Sequence, residues 1–479
     1  MGSIKKNIFY SSILTVSGCF FPLITFPYVS RVLGVNNIGI CNFVDSIVQY
    51  FIYFSMMGVM TVGIREVART KGDKKQLSKT YSELLTLNLI VTAIMIVVLL
   101  MCTIFIPQLH EYKQMFYVGA AKVLANTLLI EWLFKGLEDF RYITVRTILV
   151  RSLYVVIVFV FVKDESDYFL YFALTSFMVV ANAIINIVYS RKFICYKIKG
   201  INMQPYLKSF LILGVYMLLT SMYTTFNVAY LGFATNSVEV GYYTTATKLY
   251  LLIMSFFTAY TGVMMPRMSI LLAEGNVSEF KRLTDKSIDA LFAFATPLIV
   301  ISEVCAPHII RIVAGVGYEG AVLPMRIVMP LMLVICYEQV LVYQILSPMK
   351  KDAAILRNSI VGALVAVIFN VALVSRFASS GTAIVWILSE FAVLLSAQYY
   401  VSKYIRFKMP IAAFGKRITL MAPVLLIALY VDHRIENTWL SLIVVSFIAG
   451  AYCLFTEIAV LKNELIENNL IAVFKRFPK

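Results

Sequence analysis

Residues 38–69 read IGICNFVDSIVQYFIYFSMMGVMTVGIREVAR, and residues 240–269 read VGYYTTATKLYLLIMSFFTAYTGVMMPRMS. A single offset of 202, 241 minus 39, sets Gly39 on Gly241, Phe43 on Thr245 and Arg65 on Arg267. In both stretches a glycine opens an apolar run and an arginine closes it. The polar loops that follow also correspond, GDKKQLSKTYSELL from Gly72 and GNVSEFKRLTDKSI from Gly275. Few identities underlie the match, and any two membrane helices with a basic end share part of this pattern. Read as a repeat, the copies run in the same direction, as in two halves related by an axis along the membrane normal.

The rest of the chain has the composition that such a reading needs. Its 479 residues are 60% hydrophobic and 14% charged, with a mean hydropathy of +0.83. Soluble domains are nearer half apolar and a quarter charged, so the chain belongs in a membrane. Most apolar runs are about 20 residues long, the length that crosses a ~30 Å hydrocarbon core as a helix. The first run, after the basic start MGSIKK, extends to about Val29 without a small-residue cleavage site, and is read as a span and not as a signal peptide.

The formal net charge of +16 is unevenly placed, with most of the 42 lysines and arginines in alternate loops and both tails. This bias puts those loops and both termini in the cytoplasm and directs the charge at anionic lipid head groups, not at nucleic acid. The seven cysteines (Cys19, Cys41, Cys102, Cys195, Cys305, Cys336, Cys453) are scattered singly. None of the three histidines, His110, His308 and His433, has zinc spacing. Neither a disulfide framework, a metal nor another cofactor is expected.

In chain order the expected spans are 8–29, the organising stretch from 38, 81–106, 115–134, the span ending at Val162, 168–189, 207–231 and the second copy from 240. The last six are 288–304, 321–346, 355–374, 381–401, 419–431 and 439–461. Pro22 and Pro27 should bend the first span near its outer end, just before Arg31. Residues 131–151, EWLFKGLEDFRYITVRTILVR, read as a tight helical hairpin, and 306–320 as a short surface helix. The fold class is therefore an all-α polytopic membrane protein of about fourteen helices. It comprises two six-helix lobes, 1–200 and 201–405, around a central cavity, and two further helices with a cytoplasmic tail over 406–479. No loop exceeds about 25 residues, which leaves no extramembrane surface for a catalytic site. No GxxxxGK[ST] stretch is present for ATP. An enzyme is not expected.

Charges at membrane depth are costly and usually face a cavity or each other. Arg31, Lys122, Arg151 and Lys248 read as the cationic lining of a substrate path, which suits an anionic cargo. Gln49, Asn126 and Gln339 add polar lining. Asp45, Glu338 and Glu390 are candidates for coupling to a proton or sodium gradient. Asp45 and Gln49, four apart, share a helix face. Glu303 and Arg326, near outer ends, can instead snorkel, and Arg146 and Arg357 read as topology anchors. For Asp45 the alternative is an ion pair with Lys122 that has no transport role.

FPYVSRVLGVNNIGICNFVDSIVQYF, GIREVART, EWLFKGLEDFRYITVRTI and VGYYTTATKL with PRMS together resemble the polysaccharide transporter, or O-antigen flippase, family. Its superfamily also holds multidrug and toxin extrusion exporters and the lipid II flippase. The resemblance covers essentially the whole chain. It implies alternating access and, as cargo, an undecaprenyl-pyrophosphate-linked sugar repeat unit carried across the bacterial plasma (inner) membrane. It also implies that membrane lipids and the pathway's polymerase and chain-length proteins are partners. Two readings stay open beside it, a small-molecule antiporter of the multidrug type and a membrane-embedded glycan polymerase or ligase.

Overall fold

A computed structural model describes residues 2–196, 200–405 and 407–463; the segment 197–199 and Arg406 of two expected basic loops, and the expected cytoplasmic tail from 464, lie outside the described residues. Every regular element among the described residues is helical, and the chain forms two compact units, Met1–Gly241 and Tyr242–Lys479.

The first unit contains α1 (Gly2–Met56), α2 (Val59–Thr70), α3 (Lys74–Phe105), α4 (Pro107–His110), α5 (Lys113–Leu128), α6 (Glu131–Gly136), α7 (Phe140–Phe161), α8 (Tyr168–Ser190), α9 (Gln204–Ser221) and α10 (Thr225–Ala234). The hub is α1, which touches α3, α5, α7, α8, α9 and α10. At 55 residues it holds two crossings, and its helical dihedrals break at Gly34 (φ 72, ψ 170), in the left-handed region that glycine enters without cost. The break therefore falls past Arg31, and Pro22 and Pro27 lie inside the helix.

The stretch 38–69 is not one span as expected. It breaks at Met57 (φ 33) and Gly58, where the Gly58 N–H donates to the Phe210 carbonyl at 3.2 Å. A Cβ on Gly58 would stand 2.8 Å from that oxygen, so only glycine lets α9 come this close. Beyond the break α2 packs on α6 with a glycine on each side. Gly63 meets the Trp132 indole and Gly136 meets Val67. Val62, Leu84, Trp132, Leu133, Phe134 and Phe210 complete this apolar core. The charge-dense segment turns through Glu138 (φ 64), and Asp139 caps α7 by accepting from the Tyr142 N–H. The span expected at 207–231 is bent by 54° between α9 and α10.

The end of this unit is the start of α11 (Ser237–Ala273). There the opening glycines of the repeat meet. A Cβ on Gly39 would lie 1.7 Å from the Ser237 carbonyl oxygen, and one on Gly241 would lie 2.3 Å from the Val35 carbonyl oxygen. Val35 and Ser237 are themselves 202 apart, 237 minus 35, so the contact is reciprocal under the repeat offset.

The second unit holds the remainder of α11 with α12 (Val277–Val313), α13 (Val322–Val328), α14 (Leu331–Gln339), α15 (Asp352–Phe369), α16 (Ser375–Ile405), α17 (Ile411–Arg434) and α18 (Thr438–Phe455). Here α12 is central, touching α13, α14, α17 and α18. The expected surface helix over 306–320 is not separate. Its first half continues α12 with Pro307 inside, because Cys305, Ala306 and Ile310 lie on the buried face. The α12–α17–α18 contact is built from Val300, Val304, Cys305, Val424, Ala428, Val445 and Ala449, small side chains that let helices approach. π-helical turns follow α14 (Val340–Leu346) and α15 (Asn370–Val374).

The division between units lies about 40 residues beyond the expected lobe boundary at 200/201, because α9 and α10 pack on α1 and α2. The helices expected as a separate C-terminal pair, α17 and α18, belong to the second unit. Among the described residues eleven segments are long and apolar enough to cross a membrane, and the bent α9/α10 pair makes a twelfth. Two segments, Phe9–Thr70 with 62 residues and Asp352–Ile405 with 54, each hold two crossings at ~1.5 Å per residue. That gives fourteen.

Gly39→Val should therefore lower the unfolding temperature of the detergent-solubilised protein strongly, by at least the ~1–3 kcal/mol of an overpacked core, since backbone stands where the side chain would go. Gly262→Ala, in open space inside α11, should leave it unchanged or raise it. Equal melting temperatures for Gly39→Val and wild type would refute the close approach.

Candidate functional site

In the first unit the charges predicted at depth do not stand alone. Lys122 of α5 donates to an Asp45 carboxylate oxygen on α1, and this ion pair is the alternative that the sequence left open. The partners are unequally placed, with 11% of the Lys122 side chain exposed against 44% of Asp45. Tyr154, Tyr171 and Cys41 lie within electrostatic reach of this site. Gln49 and Asn126 are half-buried. Arg151 donates to the Ser17 hydroxyl at 2.7 Å, which ties α7 to α1. Arg31 is exposed, and its Nη1 donates to the Pro27 carbonyl at 2.5 Å.

In the second unit Glu390 of α16 is buried and accepts from Trp386 Nε1 at 3.0 Å. Glu338 of α14 lies within electrostatic reach of Glu390, and Tyr250 of both. Tyr250 and Trp386 pack edge to face with centroids 5.0 Å apart. Glu338 and Glu390, two of the three coupling candidates, thus lie within reach of each other in an aromatic setting, a pairing that the sequence did not show. Gln339 is held by α11, accepting from Thr261 at 3.2 Å and donating to Thr258 at 3.0 Å. Lys248 is half-buried, two positions before Tyr250.

The other charges singled out in the sequence lie as follows. Arg146, expected as a topology anchor, also has a partner. It is buried and pairs with Glu131 at 3.1 Å, while Lys135 reaches the same carboxylate at 3.2 Å. Arg357 is exposed beside the Tyr400 ring. Arg326 donates to the Glu303 backbone carbonyl at 2.9 Å. Sequence reasoning missed Glu83, which is buried and accepts from Tyr206 Oη at 2.9 Å and from the Asn202 N–H at 3.2 Å. An acid among the first apolar residues of α3 was the available signal. It also missed Arg417, just before the expected span 419–431 and 3% exposed, and Gln344, whose buried amide atoms find no partner among the described residues.

Fourteen apolar crossings among the described residues, with charged and amide side chains at membrane depth, define a polytopic α-helical membrane protein. The fold corresponds to that of a lipid II flippase, MurJ, in an inward closed conformation, with a TM-score of 0.77, 13% identity, and coverage of 95% of this chain and 99% of that one. An inward-facing multidrug-resistance transporter of the MATE family in the MOP superfamily matches with a TM-score of 0.63 and 14% identity, over 81% of this chain and 94% of its own. Residues 4–272 match the family described as polysaccharide biosynthesis protein, and the chain belongs to it. A relative from Escherichia coli K12, provisionally named an O-antigen transporter, is 24% identical over 395 residues, 81% of this chain and 94% of its own length.

The unequal burial of the Asp45–Lys122 pair sets an order of mutational effects. Asp45→Asn leaves a buried ammonium without its counter-charge, whereas Lys122→Met leaves a carboxylate that reaches solvent. Asp45→Asn should therefore destabilise the solubilised protein more, by about 1–3 kcal/mol, and the double variant should recover part of that loss. Thermal unfolding of the four proteins decides it. Additive losses, or a larger effect from Lys122→Met, would show that the pair does not hold α1 to α5.

Proposed function

We propose that this protein flips undecaprenyl-pyrophosphate-linked oligosaccharide repeat units, precursors of O-antigen or capsule, from the inner to the outer leaflet of the bacterial plasma membrane. Family membership carries this reading. The transporter name of the Escherichia coli relative, spanned over 94% of its length, supports it. The cargo is translocated and not chemically altered. Each transport cycle exposes the polar path first to one side of the membrane and then to the other, with both termini cytoplasmic.

The chemistry of the cargo fits the charges at depth. A pyrophosphate needs cationic contacts in a low-dielectric setting while its polyprenyl tail stays in the bilayer. The proposal takes Arg31, Lys122, Arg151 and Lys248 as the cationic contacts to the cargo, Lys122 together with its partner Asp45. Coupling to a proton or sodium gradient is assigned to the Glu338–Glu390 pair, two carboxylates in electrostatic reach of each other, with Asp45 as the other candidate. In the same proposal the pathway's polymerase and chain-length proteins act on the unit after its delivery.

The test is the accessibility of lipid-linked repeat units at the outer leaflet, in cells with and without the protein. Accumulation confined to the inner side in its absence is the expected result. Arg31→Ala and Lys248→Ala, at normal expression, should each lower export about tenfold, the equivalent of one charge-assisted contact of ~1.4 kcal/mol. Unchanged sidedness in a strain with no second flippase would overturn the proposal, and ethidium efflux in its place would point to drug antiport. Normal translocation with shortened polymer would identify a polymerase.

A further inference from the structure

The helix that carries Glu338 and Gln339 changes type directly after them. Residues Val340–Leu346 are π-helical, with the Ser347 N–H donating to the Val342 carbonyl at 2.9 Å and the Lys351 N–H to the Leu346 carbonyl at 3.0 Å. An i→i+5 turn holds one residue more than an α-turn, so this helix carries an extra residue between its ends. Both ends are tied. Before the segment, Tyr337 donates to Gln398 of α16, and Gln339 is bonded to Thr258 and Thr261 of α11. After it the chain reverses through Lys350 (φ 56), with the Met349 N–H donating to the Ile345 carbonyl at 3.1 Å.

Gln344 lies inside this π-helical segment. It is fully buried, and neither its Oε1 nor its Nε2 meets a partner among the described residues. An orphaned amide lowers stability where a methionine of similar size would not. The segment packs on α12, α15 and α16. On α16 the amide of Gln398 is used fully, donating to Ser402 Oγ at 2.8 Å and to the Phe407 carbonyl at 2.7 Å besides accepting from Tyr337. On α15 Asn358 has the defect complementary to that of Gln344. Its Oδ1 accepts from Ser396 at 2.7 Å, and its buried Nδ2 has no partner among the described residues. An acceptor and a donor on packed helices are thus both left unbonded beside the one stretch whose helical register carries a spare residue.

We propose that Val340–Leu346 is a register switch, in which the spare residue moves along the helix past Gln339 and the Gln344 amide gains Asn358 Nδ2 as a donor. Passage of one residue turns Glu338 and Gln339 by about 100° around the helix axis relative to the chain after them. That turn breaks the bonds from Gln339 to Thr258 and Thr261 and moves Glu338 away from Glu390. The present register keeps those two bonds and leaves Gln344 unbonded, and the other register does the reverse, so neither is favoured by a wide margin. The link to transport rests on the proposed coupling role of Glu338 and Glu390. A proton or cation that binds the two acids better in one register shifts the helix towards it, and by reciprocity the register sets the affinity of the acids.

The test uses the full-length protein in lipid nanodiscs, with hydrogen exchange read by mass spectrometry over 331–351 and, as a control, over 438–455 in α18. Gln344→Met removes the orphaned atoms from the present register and the new bond from the other, and deletion of Gln344 removes the spare residue itself. Gln344→Met should raise the unfolding temperature by about 2–4 °C. Both variants should slow exchange over 331–351 about tenfold and leave 438–455 unchanged, because the second register is no longer populated. If the deletion does not fold, Gln344→Met alone decides. Exchange as fast as wild type in Gln344→Met, or a lowered unfolding temperature, overturns the switch. Export of lipid-linked repeat units should fall about tenfold in both variants. Slowed exchange with undiminished export overturns the link to coupling, whereas a wild-type protein that exports no such units refutes the proposed function and leaves the exchange result standing.

Discussion

The close crossing of α1 and α11 at Gly39 and Gly241 is the constraint on which the first unit rests. Each glycine faces a carbonyl of the other segment, and neither has room for a methyl group. In hydrocarbon, helices gain nothing from hiding apolar surface, so association depends on van der Waals contact at short range and on polar links. Glycine supplies the first. Ser237 adds the second, its hydroxyl donating to the Asn36 side chain at the same crossing. Because α1 also meets α3, α5, α7, α8, α9 and α10, its position at this crossing sets where the other helices of the unit pack.

The polar links that fasten these helices follow from the absence of water in the bilayer. Tyr28 donates to the Val162 carbonyl and Tyr50 to that of Ser221, each bridging two helices at a terminal turn where a carbonyl lacks its helical donor, and Thr144 donates to the Tyr10 carbonyl inside α1. Thr92 and Thr127 share a hydroxyl contact between α3 and α5. Charges obey the same rule more strictly. Lys122 is held by Asp45, Arg146 by Glu131, and Arg417 by Glu457 and Asp289.

Much of this was legible in the sequence because hydrocarbon thickness fixes helix length. The spans at 168–189 and 439–461 agree with α8 and α18 to within a few residues, since an apolar run bounded by polar loops has one reading. Broken helices were not legible. Gly58 looks like any glycine in an apolar run until Phe210, 152 positions on (210 minus 58), brings its carbonyl to the Gly58 N–H. Pro22 and Pro27 carried the stronger local signal for a break, yet Gly34 takes it, because only glycine reaches φ 72 without strain. Of the site residues, Asp45 and Lys122 were found as charges out of place, but their pairing depends on how α5 lies against α1. Tyr154, Tyr171 and Glu83 were missed because a tyrosine or a single acid near a span is ordinary in sequence and acquires meaning only from its neighbours.

The two stretches matched by the offset differ where the chemistry is concentrated. The offset that pairs the opening glycines also sets Asp45 on Thr247 and Gly58 on Tyr260. Thr247 is buried, and its hydroxyl donates to the Thr244 carbonyl one turn back, so it needs no partner from another helix. Asp45 cannot satisfy itself in this way and recruits Lys122. Where Gly58 ends the helix, Tyr260 continues it, and its hydroxyl reaches Ser287 of α12 at 3.3 Å. The carboxylates of the second unit lie instead on α14 and α16, outside the repeated stretch. One unit thus carries a matched ion pair and the other two acids beside Tyr250 and Trp386. An ion pair resists the loss of either charge, because removing one strands its partner. The ion pair therefore fastens α1 to α5, and in the mechanism proposed above Glu338, Glu390 and Asp45 are the groups on which gradient coupling is to be tested.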